Sequence, residues 1–398
     1  MDGGSCNRDP KKPIFLARSR MNDVLSSKGK IMRSRSIILS VLTLSLCTPL
    51  GALGQTQPSA SPQASASQKL PLPTQFKKTI VFIRTNCVQM PSDQELAAMS
   101  LEDRARWTDE GIAKLNPEEL ARLRQIPYFG TGFIVTVPDE RLGKDMNFKY
   151  LVTNRHVVQP GIENGRPCKV VNYSISANHV GTPAHPTPYL LSLAASPGVV
   201  WVFPDDSSVD LAASQFGLSN SEFDFMTITT KWFVTQEMIQ KNEIVEGDPV
   251  IFTGLFIQYA GTTSLEPIVR SGTIAMLPQN LIQTTLHKLG HVYLAEAHAF
   301  GGNSGSPMFV DVNKFKNALG INYMFLGVVT GEIQETEDLT LNVMTTYKGT
   351  VSANSNVSVI VPAFEVNNLL MSPVFQHFRD AYVALHPATQ PTSQQPIK

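Results

Sequence analysis

The stretch Gly302-Asn303-Ser304-Gly305-Ser306-Pro307 sets one serine on a glycine-flanked turn, and far upstream Leu151-Val152-Thr153-Asn154-Arg155-His156-Val157-Val158 places a histidine at the end of an apolar run. A serine nucleophile needs a base, a group that orients the base, and donors for the oxyanion. Glycine at 302 and 305 permits a tight turn and leaves no Cβ to shield the hydroxyl. In such a turn the N–H groups of Gly302 and Ser304 can converge where a tetrahedral oxyanion would form. Taken alone, the string has the composition of an ordinary surface turn. The histidine upstream, with an aspartate between the two, favours chemistry over that reading.

The run Gly130-Thr131-Gly132-Phe133-Ile134-Val135, then 151–158, Val209-Asp210-Leu211-Ala212 and 302–307, resembles the trypsin-like (chymotrypsin-fold) serine peptidases, and most of all their bacterial glutamyl-endopeptidase-like and HtrA-like branch. The chain order His, Asp, Ser is that of chymotrypsin and differs from the subtilisin and α/β-hydrolase orders. The spacings agree: 54 residues separate His156 from Asp210, and 94 separate Asp210 from Ser304. The resemblance implies an all-β fold of two antiparallel six-stranded β-barrels, a polypeptide substrate and no cofactor. It also implies Ser304 as nucleophile, His156 as general base and acid, Asp210 as the group orienting it, and the Gly302 and Ser304 amides as the oxyanion hole.

Asp210 is preferred among the carboxylates because Leu211-Ala212 follow it. Asp205, Asp206 and Asp224 compete, and Ala213-Ser214-Gln215 departs from the apolar strand expected there. Asn303 stands where the animal digestive enzymes carry the aspartate that buries a freed N-terminus, so no such activation step is implied. By the same resemblance the specificity pocket has His298 at its floor and Thr330, Gly331 and Glu332 on its wall. An imidazole supplies no carboxylate for Lys or Arg, so small or uncharged side chains are expected there, with an acidic side chain as the alternative if His298 is protonated. Two other functions share this sequence: a non-catalytic peptide-binding protein on the same fold, and an esterase.

The chain has 398 residues, ample for sizeable cores, with 33 Lys plus Arg against 33 Asp plus Glu. Nine of those cations and three of the anions fall in residues 1–54, leaving a mildly acidic remainder. Without basic clusters in that remainder, a nucleic-acid partner is not expected. Arg33 and Arg35 precede an apolar stretch at 37–50 and the small residues Gly51-Ala52-Leu53-Gly54, the pattern of a signal peptide cleaved before Gln55. The stretch is short and interrupted for a membrane span; an uncleaved anchor is the alternative. An exported protein, periplasmic or extracellular, is therefore expected, with no stable membrane span after leader removal. Beyond the leader only Cys87 and Cys168 remain, and sequence leaves their pairing open. No CxxC or His-rich spacing suggests a metal site.

The predicted organisation is a targeting segment at 1–54, a disordered linker at 55–75 rich in Ser, Ala, Pro and Gln, and an N-terminal barrel at 76–222 with a helical insert at 91–125. A second barrel with a helix follows at 223–385, then a polar tail at 386–398. Asn116 reads as an N-cap with Pro117 at the first helical position. Strands are predicted at 132–137, 150–153, 169–174, 199–202, 250–253, 268–275, 291–297, 325–330 and 357–361, and a closing helix at Pro373–Leu385, packed on the second barrel. No PDZ domain, the usual companion of HtrA-like enzymes, is expected after it.

Overall fold

A computed structural model describes residues 72–386, apart from 144–145, 164–165, 181–188, 193–200, 217, 260, 262–263, 314–322 and 343–345. The predicted targeting segment and polar tail lie outside those residues but for His386, and the linker up to residue 71 does too; Leu72–Lys77 is a short helix, α1.

Strands dominate. The first sheet comprises β1 (Ile80–Gln89), β2 (Gln125–Pro138), β3 (Asn147–Thr153), β4 (Ile162–Glu163), β5 (Arg166–Ala177), β6 (Tyr189–Ser192), β7 (Ala212–Gln215) and β8 (Ile228–Thr229). Its order is β4-β5-β1-β2-β3-β7, with β6 on β5 and β8 on β2. β8 pairs parallel to β2 at Val135 and Thr136, beyond the point where β1 begins opposite Phe133. The second sheet is built from β9 (Pro249–Gly254), β10 (Ile268–Met276), β13 (Tyr293–Glu296), β14 (Ser306–Asp311), β15 (Tyr323–Asn342) and β16 (Thr346–Pro362). These six close into a barrel in the order β10-β13-β16-β15-β14-β9, while β11 (Ile282–Gln283) and β12 (Leu289–Gly290) form a separate ribbon.

The expectation of two closed six-stranded barrels is thus corrected: among the described residues the first sheet is a curled, open half-barrel of eight strands. Its last strand, β7, is four residues long, and its outer edge meets a single isolated bridge at Val202 rather than a strand. Two hydrogen bonds, Val202 N–H to Ala213 O (2.8 Å) and Ala213 N–H to Val202 O (2.9 Å), end the sheet there.

Between β1 and β2 the chain forms four short helices: α2 (Asp93–Ala98), α3 (Leu101–Arg106), α4 (Asp109–Ala113) and α5 (Pro117–Arg122). Ser92, Ser100, Thr108 and Asn116 cap them in turn, each side chain accepting from an N–H three residues on. Cys87 and Cys168 are joined by a disulfide, with Cα atoms 5.6 Å apart, tying β1 to β5 beneath this insert. The one-turn helix α6 (Arg155–Val158) follows β3, and α7 (Gln236–Gln240) precedes the barrel.

After β16 come two helices, α8 (Ala363–Leu370) and α9 (Pro373–Leu385). Contrary to expectation, α9 docks on the first sheet. Phe375 packs against Tyr150 with ring centroids 4.8 Å apart, and Tyr382 against Phe148 at 5.6 Å. Arg379 is buried, donating to the Tyr150 hydroxyl (3.0 Å), Leu370 O (2.8 Å) and Gln376 Oε1 (2.8 Å). The C-terminal segment therefore straps the half-barrel to the barrel. Between the two, Phe133 of β2 meets Phe325 of β15 at 5.3 Å in a shared apolar core. Each such ring removed from water contributes about 1.5–3 kcal/mol.

Replacing Arg379 by Met keeps much of the stem but leaves the Leu370 carbonyl and the Tyr150 hydroxyl without their buried donor. A loss of roughly 2–4 kcal/mol in unfolding free energy is expected, measured by urea denaturation.

Candidate active site

At Thr131, β2 is still paired with β1 opposite Phe82 but has been released from β3. Phe133 pairs with Val152, and β3 ends one residue later at Thr153, so the edge of β2 facing β3 is vacant at Thr131. The turn ahead of β14 fills it. Thr131 N–H donates to Ser304 O (2.8 Å), its hydroxyl donates to Gly302 O (2.8 Å) and accepts from Leu255 N–H (2.9 Å). Its carbonyl accepts from the Thr153 hydroxyl at 2.7 Å. One fully buried residue thus joins the serine turn to the strand that leads into His156.

The turn needs glycine at two places. Gly302 has φ +97° and Gly305 φ +88°, the left-handed region that L side chains avoid. A Cβ on Gly305 would stand 1.9 Å from Thr131 O, so the close approach of the two sheets requires its absence. Asn303, fully buried, braces the turn: its amide donates to Leu255 O (2.7 Å) and its oxygen accepts from Phe300 N–H (2.8 Å). The N–H groups of Asn303, Gly305 and Ser306 are used at Phe300 O, Val329 O and Asn303 O. Among the described residues no protein acceptor meets the N–H of Gly302 or of Ser304.

His156 sits in α6, anchored by the buried Val157 and Val158. Its Nδ1 lies 2.6 Å from Asp210 Oδ2, and its backbone N–H donates to Asp210 Oδ1 at 3.1 Å. Asn154 does not cap α6 with its side chain; instead its amide donates to Asp210 O at 2.7 Å. The Thr330 hydroxyl donates to Asp210 Oδ2 at 2.5 Å. Burial opposes ionisation of Asp210, but the hydrogen bonds and charge of His156 and the Thr330 hydroxyl outweigh it and hold the carboxyl below its ordinary range. With the folded value depressed, the pair stabilises the fold above the unfolded aspartate value and loses that contribution as pH falls.

Two successive residues of β15 hold both parts: Val329 O accepts from Gly305 N–H at 2.8 Å, and Thr330 holds Asp210. Gly130 fits between the halves, since a Cβ there would lie 2.6 Å from both methyls of Val157 and 3.2 Å from Ser304 O. The structure therefore brings His156 and Asp210 into direct contact, with the half-buried Ser304 on the adjoining turn.

Residues 130–316 match the family described as trypsin-like peptidase domain. The chain carries a trypsin-like peptidase domain. Among solved structures, it is similar to an HtrA-type protease, AlgW with a decapeptide, at 14% identity over 79% of this chain and 74% of that one, with TM-score 0.37. It is also similar to a thermostable serine protease, AL20, from an extremophilic microorganism, at 11% identity over 73% of this chain and 95% of that one, with TM-score 0.35. No curated protein matches the chain.

Beside Ser304 the peptidase domain has an open cavity of about 200 Å3, bounded by Ala299, Phe300 and Gly301 on one side and by Val329, Gly331, Glu332, Gln334 and Asn354 on the other. Of the four residues predicted for the specificity pocket, Gly331 and Glu332 line it. His298 does not: it is exposed, because the segment from Ala297 to Ala299 alternates and turns the two alanines inward. Thr330 is turned the other way, onto Asp210. Sequence reasoning missed Phe300, Gln334 and Asn354; the last two lie on a hairpin arm where β15 and β16 pair beyond the barrel, from Gln334 opposite Asn354 to Asn342 opposite Thr346.

Thr131→Val removes the hydroxyl while keeping the shape, leaving the Leu255 N–H and Gly302 O buried and unpaired. A loss of about 2–4 kcal/mol is expected, most of it restored by Thr131→Ser, measured by thermal and urea unfolding.

Proposed function

We propose that the protein is an exported serine endopeptidase. The observation that carries this is the 2.6 Å contact of His156 Nδ1 with the buried Asp210 carboxylate, on an element that adjoins the glycine-framed turn of Ser304. In this reading Nδ1–H is held by Asp210, which leaves Nε2 unprotonated as the base. Ser304 Oγ attacks the peptide carbonyl carbon while Nε2 takes its proton. The negative charge that develops on the carbonyl oxygen is met by the Gly302 and Ser304 N–H groups, each such donor contributing ~3 kcal/mol in comparable enzymes. Collapse expels the amine, which receives its proton from His156, and leaves an acyl group on Ser304. Water, deprotonated by the same imidazole, then releases the acid and restores the serine. The imidazolium formed in both halves is stabilised by Asp210, whose own ionisation Thr330 supports.

Ser304→Ala should abolish hydrolysis of denatured protein substrates and covalent labelling by a fluorophosphonate probe, with the thermal midpoint kept. His156→Ala should do the same, and the losses should not add. Undiminished hydrolysis by Ser304→Ala would sink the mechanism. Labelling without peptide cleavage would leave an esterase.

Export is supported by the basic residues Arg33 and Arg35 ahead of the apolar stretch 37–50, and by the Cys87–Cys168 disulfide, which persists in oxidising compartments. Among the described residues no helix is long and apolar enough to cross a membrane. N-terminal sequencing of exported material should find a chain starting near Gln55; recovery of one starting at Met1, Met21 or Met32 would favour an anchor.

A further inference from the structure

Two aromatic rings outside the serine turn share one cation. Arg270 lies on β10 opposite Phe252 of β9, so the barrel carries it. Its guanidinium stands 4.6 Å from the centre of the Phe300 ring and 5.9 Å from that of Phe256, and the two ring centroids are 6.0 Å apart. Both separations are within cation–π reach. Among the described residues the Arg270 side chain forms no ion pair, and its Nε is buried with no hydrogen-bond partner. Burial opposes its charge, and Glu332 offsets this only from beyond ion-pair distance. The rings are what this arginine is placed to meet.

Those rings belong to the two segments that Asn303 ties together from within. Its amide donates to Leu255 O, next to Phe256, at 2.7 Å. Its side-chain oxygen accepts from Phe300 N–H at 2.8 Å, and its own N–H donates to Phe300 O at 2.9 Å. Between Phe300 and Gly302 stands the exposed Gly301, where an added Cβ would meet only Ile257, at 4.0 Å. The peptide that carries the Gly302 N–H is therefore flanked by two glycines, which let it rotate at little steric cost. Rotation would turn that N–H away from the oxyanion. Phe300 on one side, and Leu255 with Ile257 against Gly302 on the other, are what limit it.

We propose that Arg270 is a positioning residue for the oxyanion hole: lying on both Phe256 and Phe300, it clamps from outside the two segments that hold the Gly302 N–H in place. This rests on the serine-peptidase reading. Arg270 is not part of the cavity wall beside Ser304, so it acts through the turn. A donor aimed at charge that develops only in the transition state affects the chemical step and leaves ground-state binding alone. Loss of the clamp should therefore be felt in kcat, with KM kept.

The test compares the full chain with Arg270→Met, Arg270→Lys and Phe256→Leu, using a peptide amide, a matched peptide ester and its thionoester, and a fluorophosphonate probe. In Arg270→Met, kcat on the amide should fall by about 3- to 30-fold, with KM unchanged and the labelling rate falling in parallel. Arg270→Lys, which keeps a cation over the rings, should recover most of the loss. Combining Arg270→Met with Phe256→Leu should cost little more than either alone, since both remove one contact. In the thionoester, sulfur replaces the oxygen that the hole binds, so the ester-to-thionoester rate ratio should fall severalfold in Arg270→Met. A mere loss of folded enzyme leaves that ratio untouched, and if Arg270→Met does not fold, the ratio is read in Phe256→Leu. An unchanged ratio, a rise in KM with kcat kept, or fully additive losses would overturn the inference alone. Failure of the unaltered chain to label and to cleave would overturn the peptidase reading and the inference with it.

Discussion

Everything at the site depends on how Thr131 is spent. Its N–H, its carbonyl and both capacities of its hydroxyl are committed, to Ser304 O, the Thr153 hydroxyl, Gly302 O and Leu255 N–H. All four contacts are buried, so water offers no substitute and each lost bond is costly. The residue is free to do this only because β3 stops at Thr153, which leaves one edge of β2 without a partner strand. The serine turn then behaves as the missing neighbour. Its fit is steric as well as polar: the absence of a Cβ at Gly305 and at Gly130 lets the turn come against β2 and Val157.

The second constraint is electrostatic. Asp210 is almost wholly buried, and a buried carboxylate is tolerated only when its charge is compensated. The compensation comes from three places: the His156 ring, the His156 backbone and the Thr330 hydroxyl. Thr330 is followed directly by the residues that wall the cavity beside Ser304 and preceded by the one that holds Gly305. A single stretch of β15 therefore sets the aspartate, the serine turn and the cavity at once. The bulges on either side of Gly331 are what allow consecutive residues to face such different neighbours.

Much of the site is legible in the sequence because its signals are local. Glycines around a serine imply a tight turn through backbone sterics, and an apolar run ending in Thr153-Asn154 implies a strand delivering His156. The segment after Asp210 is less legible. Ala212, Ala213 and Ser214 look too small and polar for a barrel strand, yet they form β7 and are buried, with Ala212 and Ala213 packed into different apolar clusters. β14 went unpredicted for a related reason: Pro307 at its start reads as a turn residue, whereas here it sits in the second position of a strand entering the barrel.

The sequence by itself determined the residue types, their order along the chain, the turn around Ser304 and the mostly β character, because those follow from backbone sterics and short-range pattern. Tertiary structure alone decided which sheet closes, where the last helix docks and which side chains bound the cavity. Closure depends on whether the ends of a sheet meet. The docking of α9 depends on Arg379 finding Tyr150, 229 positions away in the chain. The cavity depends on register shifts between β15 and β16 that accompany Glu332 and Gln334 on its wall, and His298 stays outside it because Ala297 and Ala299 are the residues turned inward. Register is a property of paired strands, so no single stretch of sequence contains it.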